Sequence, residues 1–312
     1  MSLPKRVRIV EVGPRDGLQN EKETIPTGVK VGFIEALISA GLPEIEFGSF
    51  VSPRWIPQLA DAEAVAAAVR RDEGGGPTLT ALVPNEQGMR RALASGVRSI
   101  AVFTAASETF NMRNTNATIE ESIERFRAVI DLARAPGASE RPIRVRGYVS
   151  TAFACPFEGP VPPARAADVA ARLFEIGCDE VSIGDTIGVA TPRHVTAFLE
   201  TARDRLDLAR LALHLHDTRG TALANVYAGL QAGIAVFDSS AGGLGGCPYA
   251  PGAAGNLASE DLLYMLDGMG IETGVDLQKV VEASARIEPH LSHPLPSKAY
   301  QAVRSRKDVS RD

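Results

Sequence analysis

The chain has 312 residues, 45% hydrophobic and 23% charged, with 33 Lys and Arg against 38 Asp and Glu for a net charge of −5. Ordinary apolar content excludes a disordered chain, and the absence of a basic surplus excludes an electrostatic footprint for nucleic acid. No run of about 18 apolar residues exists to span a bilayer, so no membrane partner is expected. Cys155, Cys178 and Cys247 are odd in number and form no Cys-x-x-Cys pair. With a start that carries no signal-like apolar segment, they predict a reducing, cytoplasmic compartment, and the excess of Arg over Lys suggests a bacterial source.

Taken in order, the chain alternates short runs rich in Val, Ile, Leu and Phe with Ala-rich stretches of helical spacing. Strand 7–12 precedes helix 27–40, 45–48 precedes 60–71, 78–83 precedes 85–94, and 99–104 precedes 118–134. Strand 144–149 then leads to helix 163–176, 180–184 to 192–205, 211–216 to 222–231, and 235–239 to 259–266. Thr118 with Glu121 forms a capping box, Thr191-Pro192 and Ser259 mark helix starts, and Gly41, Gly96, Gly177 and Gly233 sit just past helix ends. Eight βα units with strands too apolar to be half-exposed predict a TIM (β/α)8 barrel over residues 1–270. A doubly wound sheet would bring a Gly-rich phosphate fingerprint after its first strand, whereas that turn reads Gly13-Pro14-Arg15-Asp16-Gly17. Residues 271–312 are expected to form a C-terminal extension packed on the barrel: a helix over 275–286, then a solvated polar tail over 304–312.

In a barrel the loops after the strands build the site, so polar residues at strand ends are candidates for chemistry. His214 and His216 are two apart on one strand and point into the same mouth. As neutral imidazoles they suit a divalent metal; a pair of satisfied core histidines is the alternative. The available partners, Asp16 and the Asn256 amide, are hard oxygens that favour Mg²⁺ or Mn²⁺ over zinc. Arg15 offers a guanidinium to a substrate oxyanion, although Arg15-Asp16 also reads as a local surface ion pair. Glu46 is a carboxylate in an otherwise apolar strand end, and Asp185 is either catalytic or a helix cap. Cys247 stands among Gly242, Gly243, Gly245 and Gly246, a loop able to close over a ligand and present a thiol. Lys22 lies in a loop on the same rim.

The run from Glu11 through Asn20 (Glu-Val-Gly-Pro-Arg-Asp-Gly-Leu-Gln-Asn) resembles the opening motif of 3-hydroxy-3-methylglutaryl-CoA lyases. Ser49-Phe50-Val51-Ser52-Pro53, Gly184-Asp185-Thr186-Ile187-Gly188, His214-Leu215-His216-Asp217-Thr218 and Gly243-Leu244-Gly245-Gly246-Cys247-Pro248 extend the resemblance in colinear order over about residues 7 to 290. It implies a carbon–carbon lyase that splits the C6 hydroxyacyl-CoA into acetoacetate and acetyl-CoA with Mg²⁺ or Mn²⁺. By motif, Asp16, His214, His216 and Asn256 would hold the metal, with Glu260 supporting the Asn256 segment. Arg15 would stabilise the enolate oxygen, Cys247 would be the mobile-loop thiol, and Asp185, ahead of Glu46 or His214, would take the hydroxyl proton. Gln19, Lys22, Ser49 and Ser182 would contact the acyl-CoA substrate, and the family suggests a homodimer. Pro251, within that cysteine loop, is a small departure that bears on substrate preference. The alternatives are a lyase for a longer 3-hydroxy-3-alkylglutaryl-CoA and, from another class, a non-catalytic barrel that binds metal or CoA.

Overall fold

Eight parallel strands close on themselves: β1 (Arg8–Glu11), β2 (Glu44–Ser49), β3 (Thr78–Leu82), β4 (Ser99–Ala105), β5 (Arg144–Ser150), β8 (Glu180–Asp185), β9 (Leu211–Leu215) and β10 (Val236–Ser239). β6 (Ala154–Cys155) and β7 (Gly159–Pro160) form a small antiparallel pair in the loop after β5. The closing contact pairs Arg8 with Val236 through Glu11 with Ser239. The computed structural model describes residues 3–69, 76–139, 142–246 and 255–309. The expected (β/α)8 barrel is therefore the fold, each of the eight predicted strands lying in its wall.

Around it run α1 (Thr27–Ser39), α2 (Ala62–Ala68), α3 (Glu86–Ala94), α4 (Glu108–Thr115), α5 (Ile119–Arg134), α6 (Pro163–Glu175), α7 (Pro192–Ala202), α8 (Ala222–Ala232) and α9 (Ser259–Gly268). Their starts follow from local chemistry. Thr118 and Glu121 satisfy each other's backbone amides at the head of α5, and Asn85 caps α3 by accepting from Gly88 N at 2.9 Å. The four predicted cap glycines adopt positive φ. Helix faces and outer strand faces share one apolar shell that includes Phe33, Phe126, Phe198 and Phe237, each almost fully buried. Burying a side chain of that size contributes about 1.5–3 kcal/mol.

Two elements depart from expectation at the C-terminus and the rim. After α10 (Leu277–Ile287), residues expected to begin a polar tail belong to α11 (Lys298–Val309). Its first turn is fixed by the Asp261 carboxylate, which accepts from Ser297 Oγ at 2.8 Å and Ala299 N at 2.7 Å. A buried Tyr300 anchors it further. The charges of this segment are legible in the sequence, whereas its cap is supplied from the distant α9. α4, capped by Ser107, stands unforeseen in the loop after β4, where it helps to wall the mouth. The extension lies against the barrel: Val7 N donates to Glu272 O and Asp276 N to Ala40 O.

Inside the barrel the filling is layered. Val10, Val12, Ala212 and Val236 pack together on one side, and Leu82, Ala101 and Tyr148, with Phe103, on the other. Between them lie charges. Arg8, Arg144, Glu44 and Glu180 form an ion network at the strands' N-terminal ends. Arg146 and Asp238 occupy the middle, and the polar mouth lies above.

Candidate active site

β1 ends at Glu11, and the chain then winds through a tight turn, Gly13–Gly17, in which Asp16 N and Gly17 N both reach back to Val12 O. Gly17 is required here by space: a Cβ would lie 2.8 Å from Leu244 Cβ. The turn is braced by Glu11, whose outward-facing carboxylate accepts from Gly13 N, Ala241 N and Ser259 Oγ at 2.6 to 2.9 Å. It carries Arg15 and Asp16 over the mouth. Arg15 donates to Asp16 Oδ1 at 2.7 Å and to Glu46 Oε2 at 2.9 Å, and is 7% exposed. A register shift between Glu46 and Gly48 lets both Glu46 and Ser49 face the interior although they are three residues apart.

Two strands around the wall from β1, β9 presents His214, followed by His216. The ring nitrogens His214 Nε2 and His216 Nε2 lie 3.2 Å apart, and Asp16 Oδ2 is 3.9 Å from the former. Ligand atoms of these three residues all fall within 4.8 Å of one another. His214 Nδ1 faces Asp238 Oδ2 at 3.2 Å. A proton held there leaves the Nε2 lone pair directed at the cluster, the usual arrangement behind a metal-binding imidazole. Two imidazole nitrogens and a carboxylate aimed at one point are a poor set of mutual partners and a good set of donors to a divalent cation. The electrostatics agree. Burial pushes the Asp16 carboxyl up, but Arg15 and the two imidazoles outweigh it and hold it at about 2. Burial, with His214 alongside, drives His216 down to about 3, so its ring stays neutral. Asn256 belongs to the same cluster, paired in a bridge with His216. Its NH₂ donates to Asp16 Oδ2 at 2.8 Å and Leu244 O at 3.1 Å, so ligation by its oxygen requires the amide to turn over.

Arg15, Asp16, His214 and His216 form the polar end of a cavity of about 800 Å³, which Gln19 and Ser49 also line, while Glu46 and Asn256 lie buried behind that lining. Away from that end the lining mixes Leu82, Phe103, Phe110, Met112 and Phe126 with Arg113, Asn114, Thr115 and Arg125. Arg15 Nε and Glu46 Oε1 are buried without a partner among the described residues, as is His216 Nδ1.

Other expected site residues are placed differently. Asp185 lies on the outward parity of β8, and its oxygens accept from Val189 N at 3.0 Å and Ala190 N at 2.9 Å. It therefore holds the loop before α7 and does not line the cavity. Ser182 is fully buried beneath the floor, its hydroxyl donating to Asp238 at 2.8 Å, rather than facing substrate. Lys22 is exposed and outside the cavity lining. Glu260 accepts from Gly242 N at 2.8 Å and from Ser284 Oγ, so it braces the turn after β10 and not Asn256 itself. Cys247 and Pro251 lie outside the described residues, although neighbouring Gly246 lines the cavity. Tyr148, not expected from the sequence, lines the cavity and donates to Glu46 Oε2 at 3.1 Å, and Arg146 and Asp238, equally unexpected, lie below it. The signal was available: Arg144, Arg146 and Tyr148 recur at period two on one strand and share its inner face.

A closed parallel barrel with an imidazole–carboxylate cluster and a buried arginine at the C-terminal mouth defines a metal-dependent barrel enzyme. The chain belongs to the HMGL-like family, whose profile matches residues 6–287. It is 51% identical over 304 residues to the mitochondrial hydroxymethylglutaryl-CoA lyase of Arabidopsis thaliana, covering 97% of this chain and 64% of that longer protein. It is also 51% identical to the 3-hydroxy-3-isohexenylglutaryl-CoA/hydroxymethylglutaryl-CoA lyase of Pseudomonas aeruginosa, covering 97% of this chain and 99% of that one. The crystal structure of hydroxymethylglutaryl-CoA lyase from Pseudomonas aeruginosa superposes with a TM-score of 0.93 over 98% of this chain and 100% of that chain.

Proposed function

We propose that this enzyme is a carbon–carbon lyase that cleaves 3-hydroxy-3-methylglutaryl-CoA to acetoacetate and acetyl-CoA with the help of Mg²⁺ or Mn²⁺. The observation that carries the reading is the convergence of Asp16, His214 and His216 on one point beside a buried arginine, at the polar end of a cavity. Asp16, His214 and His216 would hold the cation, with Asn256 turned to complete the set. A divalent ion bound there supplies Lewis acidity, lowering the pKa of the substrate's tertiary hydroxyl and orienting its carboxylate.

The chain's own groups do the rest. Arg15, fixed by Asp16 and Glu46, presents permanent positive charge to the oxygen on which the enolate develops. Asp185 is committed to loop amides, so the hydroxyl proton passes toward Glu46, which lies behind Arg15 outside the cavity lining and whose Oε1 has no partner among the described residues. Burial raises its carboxyl above the ordinary range against the pull of Arg15, the direction in which a carboxylate becomes a better base. Cys247 supplies the proton that converts the departing carbanion to acetyl-CoA. Acetoacetate release from the C6 thioester, abolished by EDTA and restored by Mn²⁺, is the expected result; undiminished release in EDTA would overturn the reading.

The apolar side chains of Leu82, Phe103, Phe110, Met112 and Phe126, set among polar ones in the cavity lining, offer room for a second substrate of the same class with a longer alkyl group at C3. Side-by-side kcat/KM on the methyl and a longer-chain thioester decides its weight.

A further inference from the structure

Beneath the cavity floor, and not lining it, lies the fully buried guanidinium of Arg146. Its Nε donates to Glu180 Oε1 at 2.8 Å, and Nη2 donates to Asp238 Oδ1 at 2.6 Å. Nη1 donates both to Asp238 Oδ2 at 3.1 Å and to Tyr148 OH at 2.5 Å. Two lines of hydrogen bonds rise from this one cation. On the first, Asp238 Oδ2 faces His214 Nδ1 at 3.2 Å and accepts from Ser182 Oγ at 2.8 Å. On the second, the Tyr148 oxygen accepts from Arg146, which leaves its single proton for Glu46 Oε2 at 3.1 Å, the same atom that receives Arg15 Nη2 at 2.9 Å.

A planar fork is what this junction requires. Arginine meets Asp238 with two parallel N–H bonds and still reaches two further partners, whereas a lysine offers one point charge. Removing the fork leaves a buried carboxylate without its counter-charge and a phenol free to turn away from Glu46. We propose that Arg146 is a positioning residue that couples the two halves of the site: the imidazole that would hold the cation and the guanidinium that faces the substrate. The second half of this proposal rests on the lyase reading; the first rests on the metal cluster alone.

The test combines two readouts on folded protein: the Mn²⁺ dissociation constant, from the electron spin resonance of free ion, and kcat at saturating Mn²⁺. Arg146→Lys keeps the charge and loses the fork. It is expected to bind Mn²⁺ about tenfold or more weakly, as loss of an outer partner of a ligand does, and to lose about tenfold or more in kcat. Asp238→Asn, which cuts the first line, is expected to weaken Mn²⁺ binding. Tyr148→Phe, which cuts the second, lowers kcat with the Mn²⁺ constant unchanged. A merely structural role would reduce the active fraction and leave that constant at its wild-type value. Folded Arg146→Lys with wild-type Mn²⁺ affinity, or with wild-type kcat, overturns the coupling. Wild-type protein that binds Mn²⁺ but releases no acetoacetate overturns the lyase reading instead. In that case a tenfold weaker Mn²⁺ site in Arg146→Lys still supports the positioning of His214, and an unchanged one overturns it.

Discussion

Arg15 is held by two carboxylates on either side, and its charge is permanent: burial works against it, but Glu46 and Asp16 more than compensate and lift its pKa well above the ordinary value. Such a preorganised cation is worth most where charge appears only in the transition state. Arg15→Gln is therefore expected to lower kcat by at least ~10² with a smaller change in KM, measured by acetoacetate release. A raised KM with kcat unchanged would place Arg15 in ground-state binding instead. Cys247→Ser exchanges a thiol for a much weaker acid and should likewise lose ~10² or more in kcat; turnover near wild type would remove the thiol from the proton transfer. At this scale the sequence was most legible for residues whose type is unusual for their place. Two histidines at one strand end and a carboxylate in an apolar strand announce themselves. Asp185 and Ser182 did not show their placement, because which face of a strand a residue occupies depends on where the strand begins.

The turn after β10 shows how one element is secured by buried carboxyls. Glu260 is fully enclosed, and burial pushes its carboxyl up to about 8 despite the bonds from Ser284 and Gly242. The sign of the consequence follows from linkage. A carboxyl near 4.5 in the unfolded chain and about 8 in the folded one makes the folded state the better proton binder between those values. Its contribution to stability is full below about pH 4.5 and is lost as pH rises toward 8. Glu260→Gln keeps an acceptor for Gly242 N and removes the titration. Between pH 5 and 8.5 the wild-type Tm should fall by more than that of the variant; parallel Tm curves would refute the assignment. Helix starts and cap glycines were legible because they depend on a few consecutive residues. α11 was not, since its cap comes from Asp261, on α9.

For the whole molecule, the barrel brings Asp16 of the first loop and Asn256 of the last into contact across 240 residues of chain. A cation bound between such distant segments stabilises the folded state by mass action, about 2.7 kcal/mol at a hundred times Kd. In a chain of this size that amounts to a Tm increase of several degrees. Saturating Mn²⁺ is expected to raise Tm in the wild-type protein and to have no effect in His214→Ala. A Tm indifferent to Mn²⁺ in both would show that the cluster binds no cation.

The alternation of apolar strands and amphipathic helices determined the barrel, because period and length are local properties and eight parallel strands have one economical closure. The motifs likewise determined which loops meet at the rim. Tertiary structure alone decided what lies beneath it. Period two puts Arg146 and Tyr148 on one face of β5, but only the register of the closed wall sets them and Asp238 within hydrogen-bonding distance under His214 and Glu46. Register is a property of neighbouring strands, not of any one of them.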